Sequence, residues 1–166
     1  MDEPRIESRM IRDGAWSDLD ACLDIWVAAC AARDGQAVEG VAERARPKFA
    51  NGVVWLVADS DAGLGGFVLA THPGSGRPDD PKGAAVVGLL AVAPYEQARG
   101  LGRHLLRSAT TRLAALGYER AVLHALVDNT TAVRLYESEG WEAIGDPYEH
   151  SLLKRPARTY ARALLG

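Results

Sequence analysis

Apolar residues recur along this chain with two periods, and the switches between them mark its elements. Residues 6–12 alternate weakly, Ile6, Ser8 and Met10 against Glu7, Arg9 and Ile11, and predict a first strand. Asp13-Gly14 turns the chain. Ser17 or Asp18 can then cap a helix with apolar positions Leu19, Cys22, Leu23, Ile25, Trp26 and Ala29. A less regular helix is expected over residues 38–45, stopping near Pro47. Residues 53–58 (VVWLVA) and 66–71 (GFVLAT) read as a hairpin closed by the turn 59–63. Residues 72–83, with three prolines and three glycines, form a long loop, a type that is often functional or mobile.

Residues 84–93 (AAVVGLLAVA) are almost wholly apolar and end at Pro94. They predict a strand covered on both faces. A helix follows through Leu116, with Leu101, Leu105, Ala109, Leu113 and Leu116 on its apolar face and Gly117 as its left-handed stop. Residues 120–126 are the next strand. Strand, helix and strand make a βαβ unit, so these two strands should run parallel. Asp128 or Asn129 caps a short helix over 130–139, Gly140 closes it, and residues 141–144 resume a strand. A last strand is expected over 159–164, preceded by a turn at Pro156.

At 166 residues the chain is expected to be one domain, 1–166. Nineteen basic against 22 acidic residues, a net charge of −3, argue against charge-driven nucleic-acid binding but allow a local basic pocket. No apolar run reaches the roughly 18 residues of a membrane span, and the charged N-terminus lacks a signal-peptide core. Cys22 and Cys30 lie eight residues apart on one expected helix, roughly 12 Å, too far for a disulfide. No Cys/His cluster supports a metal site. The expected compartment is a reducing cytoplasm.

The strongest chemical signal is the glycine turn between the apolar strand and its helix. Gly100 and Gly102 let backbone approach a ligand closely, and the helix start offers unpaired N–H donors with partial positive charge. Such a place suits phosphate. Arg99, Arg103 and Arg107 recur on its first turns, with no acidic residue before Leu116 to offset them. They are a solvated basic face or a polyanion site. A Walker loop is absent, and Leu105 stands where a dinucleotide fingerprint needs its third glycine.

Two blocks carry a family resemblance. Leu90-Ala-Val-Ala-Pro94 followed by Gln97-Ala-Arg-Gly-Leu-Gly102 resembles the acetyl-CoA-binding motif [QR]xxGx[GA] of the GNAT superfamily of N-acetyltransferases. Asn129-Thr-Thr-Ala132 and Tyr136-Glu-Ser-Glu-Gly140-Trp141 resemble its later N-x-x-A-x-x-x-Y-x-x-x-G-[FW] segment. The resemblance implies a mixed α/β fold. Its central sheet, mostly antiparallel, holds one splayed parallel strand pair and is flanked by helices. Acetyl-CoA would lie in the split as acyl donor, with no metal. Its pantetheine would pair with Leu90, Ala91 and Val92, and its diphosphate would sit on the backbone of Ala98, Arg99, Gly100, Leu101, Gly102 and Arg103, beside Gln97 and Asn129.

Moving an acetyl group to an amine needs a base, a donor to the carbonyl oxygen and an acid for the leaving thiolate. By resemblance, N–H groups near Val92 are the carbonyl donors and Tyr136 the acid. On pattern alone Tyr136 reads as core packing, and Asn129 as a helix cap that can also touch the cofactor. His124 falls where several peptide-acetylating members carry a glutamate base. It is a base or a packed strand histidine, with a water chain, Glu39 or Glu43 as other sources. His72 and His150 can border the acceptor groove, and Trp16, Trp26 and Trp55 are expected in the core. The expected activity is transfer from acetyl-CoA to a primary amine, of a small molecule or a peptide N-terminus, in a ternary complex. A non-catalytic acyl-CoA sensor of the same fold is the alternative. No nucleic-acid or membrane partner is expected, and a homodimer through the tail strands is compatible with the resemblance.

Overall fold

The computed structural model describes residues 11–96 and 100–164. In chain order it contains β1 (Ile11–Asp13), α1 (Leu19–Asp34), α2 (Val41–Ala45), β2 (Gly52–Ser60), β3 (Gly63–Thr71), β4 (Ala85–Val92), α3 (Leu101–Ala115), β5 (Arg120–Leu126), α4 (Thr130–Ser138), β6 (Glu142–Glu149) and β7 (Pro156–Ala163). Residues 6–10 of the expected first strand, and Gln97, Ala98 and Arg99, lie outside the described residues. The strands form one sheet in the order β1-β2-β3-β4-β5-β7-β6, antiparallel except for β4 and β5. This is the mixed sheet with one parallel pair that the two motif blocks imply.

Alternation along the strands divides the core. Val54, Leu56, Val68 and Ala70 face α3, where Leu101, Leu105, Leu106, Ala109 and Leu113 cover them. Val57, Phe67 and Leu69 face α1 and the turn after α2, against Cys22, Leu23, Ile25 and Phe49. Burying one such Phe or Leu contributes about 1.5–3 kcal/mol.

One residue breaks this alternation on β4. Leu69 pairs with Leu89 but Ala70 pairs with Val87, so Gly88 is extra and makes a bulge. Before it, Ala85 and Val87 face α3; after it, Leu89 and Ala91 face α1. An inserted residue flips every later side chain to the other face. The bulge also coincides with the end of pairing to β5. Only Ala85 with Ala121 and Val86 with Val122 are in register; beyond them the parallel strands part.

Several expectations are corrected. The helix over 38–45 is shorter, and the chain continues across Pro47 as a 3-10 turn, Arg46–Asn51. Proline at the start of such a turn has no N–H that the turn needs. Pro156 begins the last strand instead of preceding it as a turn, and β6 extends to Glu149. Trp16 is 64% exposed; it sits on a single turn at the sheet edge, where the Trp55 ring covers only one side, centroids 5.7 Å apart. Leu116 is also exposed, because α3 ends before it.

Candidate active site

The parting of β4 and β5 opens a cleft of about 1470 Å³. That exceeds the roughly 300–1,000 Å³ of a pocket for one small ligand. One wall is β4 from Val86 to Val92, running to Gly100, Leu101, Gly102 and Arg103 at the start of α3. Gly100 caps α3 with φ 81°, a left-handed conformation that glycine adopts without strain. An added Cβ at Gly102 would make only ordinary contacts, 3.5 Å from Val92 and 3.9 Å from Leu135. The helix therefore presents its first N–H groups to the cleft with little side-chain cover. Leu90, Ala91 and Val92, the expected pantetheine residues, line this same wall.

The basic face of α3 is not left without a counter-charge. Arg103 and Arg107 both bind the buried carboxylate of Glu139, just past α4, each at 2.5 Å. Hydrogen bonds from Arg107 and then Arg103 hold the Glu139 carboxyl below its ordinary pKa. The acid missing from α3 itself is thus supplied across the fold. Arg103 still lines the cleft.

Asn129 caps α4, its Oδ1 accepting from Ala132 N–H at 3.4 Å, and it lines the cleft as well. The capping role is met. Tyr136 lines the cleft about two turns further along α4, its ring centroid 6.4 Å from that of Tyr160. Burial pushes its phenol up to about 12, so at neutral pH it carries its proton.

His124 also lines the cleft, two residues beyond the last β5 residue paired to β4. Its Nε2 lies 2.9 and 3.1 Å from the two carboxylate oxygens of Asp80, a side chain only 6% exposed. A carboxylate accepts, so Nε2 carries the proton and Nδ1 keeps the lone pair in the neutral ring. Asp80 is itself fixed by the Arg77 N–H at 2.9 Å. A Cβ on Gly76 would stand 2.3 Å from an Asp80 oxygen and 3.1 Å from His124 Cε1, so the loop approaches this pair only because residue 76 is glycine. Arg77 stacks on the Tyr148 ring, its Cζ 3.3 Å from the centroid, and Tyr148 packs edge-on to His124. The long loop is therefore tied to β5 and β6 by named contacts.

Other expected residues fall elsewhere. Glu39 and Glu43 are exposed and outside the cleft lining, as is His72. His150 lines the cleft, and its Nδ1 accepts the N–H groups of Leu152 and Leu153. Cys30 reaches the cleft too, but burial raises its thiol pKa and that of Cys22, the latter to about 12, so neither is a thiolate nucleophile. Sequence reasoning missed Asp80, Arg44, Lys48 and the buried Glu96, cleft or near-cleft charges on a loop, the five-residue α2 and single 3-10 turns. The crowding of Asp79, Asp80 and Pro81 in a loop was visible, but nothing in it points to His124.

Comparison with known proteins agrees with this geometry. A model of the acetyltransferase (GNAT) family matches residues 19–141. Mycothiol acetyltransferase of Kocuria rhizophila is 38% identical over 84 residues, 51% of this chain and 27% of that protein. The chain spans less than a third of the length of that relative and of its Geodermatophilus obscurus counterpart, 31% of which is matched. The ribosomal-protein-S18-alanine N-acetyltransferase from Escherichia coli superposes with a TM-score of 0.74 at 19% identity, covering 95% of each chain. An N-acetyltransferase from Thermoplasma acidophilum, solved in complex with coenzyme A, superposes with a TM-score of 0.71 at 15% identity, covering 93% of this chain and 98% of that one.

Proposed function

The chain belongs to the acetyltransferase (GNAT) family, and from that premise we propose that it transfers an acetyl group from acetyl-CoA to a primary amine, by direct attack within a ternary complex. The acceptor amine belongs to a small molecule or a peptide N-terminus. The observation that carries this reading is the cleft between β4 and β5, whose one wall ends on the Gly100-capped start of α3. Bound there, acetyl-CoA would supply an activated acetyl thioester.

The donor set fits that group. Beyond Val86, β4 turns its edge away from β5 and toward the cleft, so a pantetheine arm can pair along Leu90, Ala91 and Val92 as an added strand would. Backbone N–H groups from Gly100 to Arg103, with the flanking Gln97, Ala98 and Arg99, receive the diphosphate, and the α3 dipole favours its charge. Asn129 borders the same space.

On the acceptor side His124 acts as general base. Asp80 holds the imidazole in the tautomer that leaves Nδ1 able to take the amine proton. A backbone N–H near Val92 donates to the developing oxyanion. Tyr136, protonated at neutral pH, gives its proton to the leaving thiolate.

The test is direct. Acetyl-CoA should raise the melting temperature, since a ligand at about 100 times its Kd adds about 2.7 kcal/mol. Mixed with a panel of primary amines it should release free coenzyme A thiol. Stabilisation by acetyl-CoA without thiol release from any amine would leave a sensor of the same fold. Stabilisation by NAD or ATP alone would remove the acetyltransferase reading.

A further inference from the structure

The cleft wall away from α3 is lined by five cations: Arg33, Arg44, Lys48, Arg77 and Arg155. Three have local partners. Arg33 and Arg155 share Asp34 at 2.6 and 3.0 Å, and Arg155 also binds Asp128 at 2.8 Å. Arg77 lies on the Tyr148 ring and reaches Asp79 at 3.6 Å. Arg44 and Lys48 pair with no carboxylate among the described residues; the Arg44 guanidinium donates only to the Ser151 hydroxyl. Two cations on consecutive turns, the exposed Arg44 of α2 and the half-buried Lys48 of the 3-10 turn after it, thus share one wall.

That arrangement is costly. Burial and the nearby Arg44 charge both lower the Lys48 pKa. Cations held close repel one another; Lys48 has lost water while Arg44 stays exposed, and neither has gained a carboxylate partner among the described residues. His150 stands beside them as a neutral donor. Its Nδ1 is occupied by two backbone N–H groups, so its ring proton is on Nε2. Burial and the charges of Arg44, Lys48, Arg33 and Arg155 lower its pKa. An anion between Arg44 and Lys48 would remove the repulsion and supply the missing partner. The diphosphate already has its place at α3, which follows the C-terminal end of β4. The α2 segment belongs to the other end, because Gly52 pairs with Thr71 and Thr71 with Val86.

We propose that the acceptor amine carries an acid group, a carboxylate or a phosphate, that docks between Arg44 and Lys48 beside His150. This rests on the acetyltransferase reading and names the substrate class for it. The acid group anchors the acceptor on the α2 wall while its amine turns to His124.

The experiment compares matched acceptors on the wild-type protein by thiol release. Amino acids are set against their carboxamides, and aminoalkyl phosphates against the corresponding amino alcohols. The acidic member of a pair should have the higher kcat/KM by about tenfold or more, the difference lying in KM, as expected for a partly desolvated charge pair. Whichever pair shows the gap identifies carboxylate or phosphate. Arg44→Gln and Lys48→Gln should each erase most of the gap without changing KM for acetyl-CoA, and Arg46→Gln, an exposed neighbour outside the cleft, should change nothing. Neutral acceptors that equal or exceed the acidic ones would overturn the proposal, as would a gap that survives the double variant. If no amine releases thiol, the acetyltransferase reading fails, and the anion site is still read by melting temperature. Glutarate or inorganic phosphate, with coenzyme A present, should stabilise the wild type above an ionic-strength-matched chloride control and not the double variant. No such rise, or one retained in the double variant, would overturn it.

Discussion

The two walls of the cleft are built from different material. The β4–α3 wall is mostly backbone: a strand edge freed by the Gly88 bulge, then N–H groups at a glycine-capped helix start. The opposite wall is mostly side chains: His124 with Asp80, Arg77 on Tyr148, and Arg44, Lys48 and His150 near the β6–β7 turn. In the proposed function a wall of main chain takes what every acetyl donor shares, and it tolerates side-chain change. A wall of charged side chains selects one partner. On this division, substitutions on the side-chain wall and α4 should alter turnover, and only those that disturb backbone geometry should alter donor binding.

The largest effect is expected at Tyr136. Tyr136→Phe keeps the ring against Tyr160 and removes only the proton donor. Turnover should fall about 10²–10⁴-fold, the usual worth of a positioned acid, with the acetyl-CoA Kd nearly unchanged by calorimetry. Equal turnover would return Tyr136 to simple packing. Next come His124→Ala and Asp80→Asn, each expected to lower kcat about 10²-fold at neutral pH. Asn at position 80 can donate its amide N–H to Nε2, which favours the tautomer with the proton on Nδ1. A loss in His124→Ala without one in Asp80→Asn would break the pair into a base and an unrelated ion partner.

The same division explains what the sequence discloses. Strand and helix periods are local, so β2, β4, α3, β5 and α4 can be read within a residue or two and β3 within three, its strand running back to Gly63 because the hairpin turn is tighter than residues 59–63 suggest, and the α3 start is marked by Gly100. The wall proposed for the diphosphate is legible for the same reason, since it is made of consecutive residues. The bulge is not, because Gly88 acts through its pairing with Leu69 and Ala70, which one strand alone does not reveal. Asp80 meets His124 across 44 positions, and Glu139 reaches Arg103 and Arg107 across 36 and 32. Arg44 and Ser151 are 107 apart. Charges on loops carry no period, so their partners emerge only from the fold. Trp16 fails differently: its aromatic bulk suggests burial, but the sheet edge offers it only Trp55.

On the backbone wall the expected effect is smaller and of another kind. Gly100→Ala meets no steric obstacle, but it forces a Cβ into φ 81°. Left-handed backbone costs an L-residue about 1–2 kcal/mol, which the midpoint of urea unfolding should register. Because the strain falls on the residue that aims the first N–H groups of α3, acetyl-CoA affinity should fall too, while kcat at saturating donor stays close to wild type. A variant that loses stability but keeps its affinity would show that the donor is held elsewhere on the wall.

The smallest effect tests whether the β4–α3 wall depends on α4. Glu139, past the end of α4, ties that helix to the start of α3 through Arg103 and Arg107. The carboxyl pKa is depressed in the folded protein from an ordinary value of 4.5, so its contribution is present above about pH 4.5 and is lost as pH falls through the lower folded value. Glu139→Gln should therefore unfold at slightly lower urea than wild type at pH 7, and the two midpoints should converge in acid. Both arginines are substantially exposed, so solvent screening keeps this difference small. The more telling readout is functional. Releasing Arg103, which lines the cleft, leaves its guanidinium available to the donor phosphates, so acetyl-CoA affinity should rise slightly in Glu139→Gln and that gain should vanish at high salt. A fall in affinity would mean that Glu139 is needed to aim Arg103, and that the helix pair, not the backbone alone, forms the donor wall.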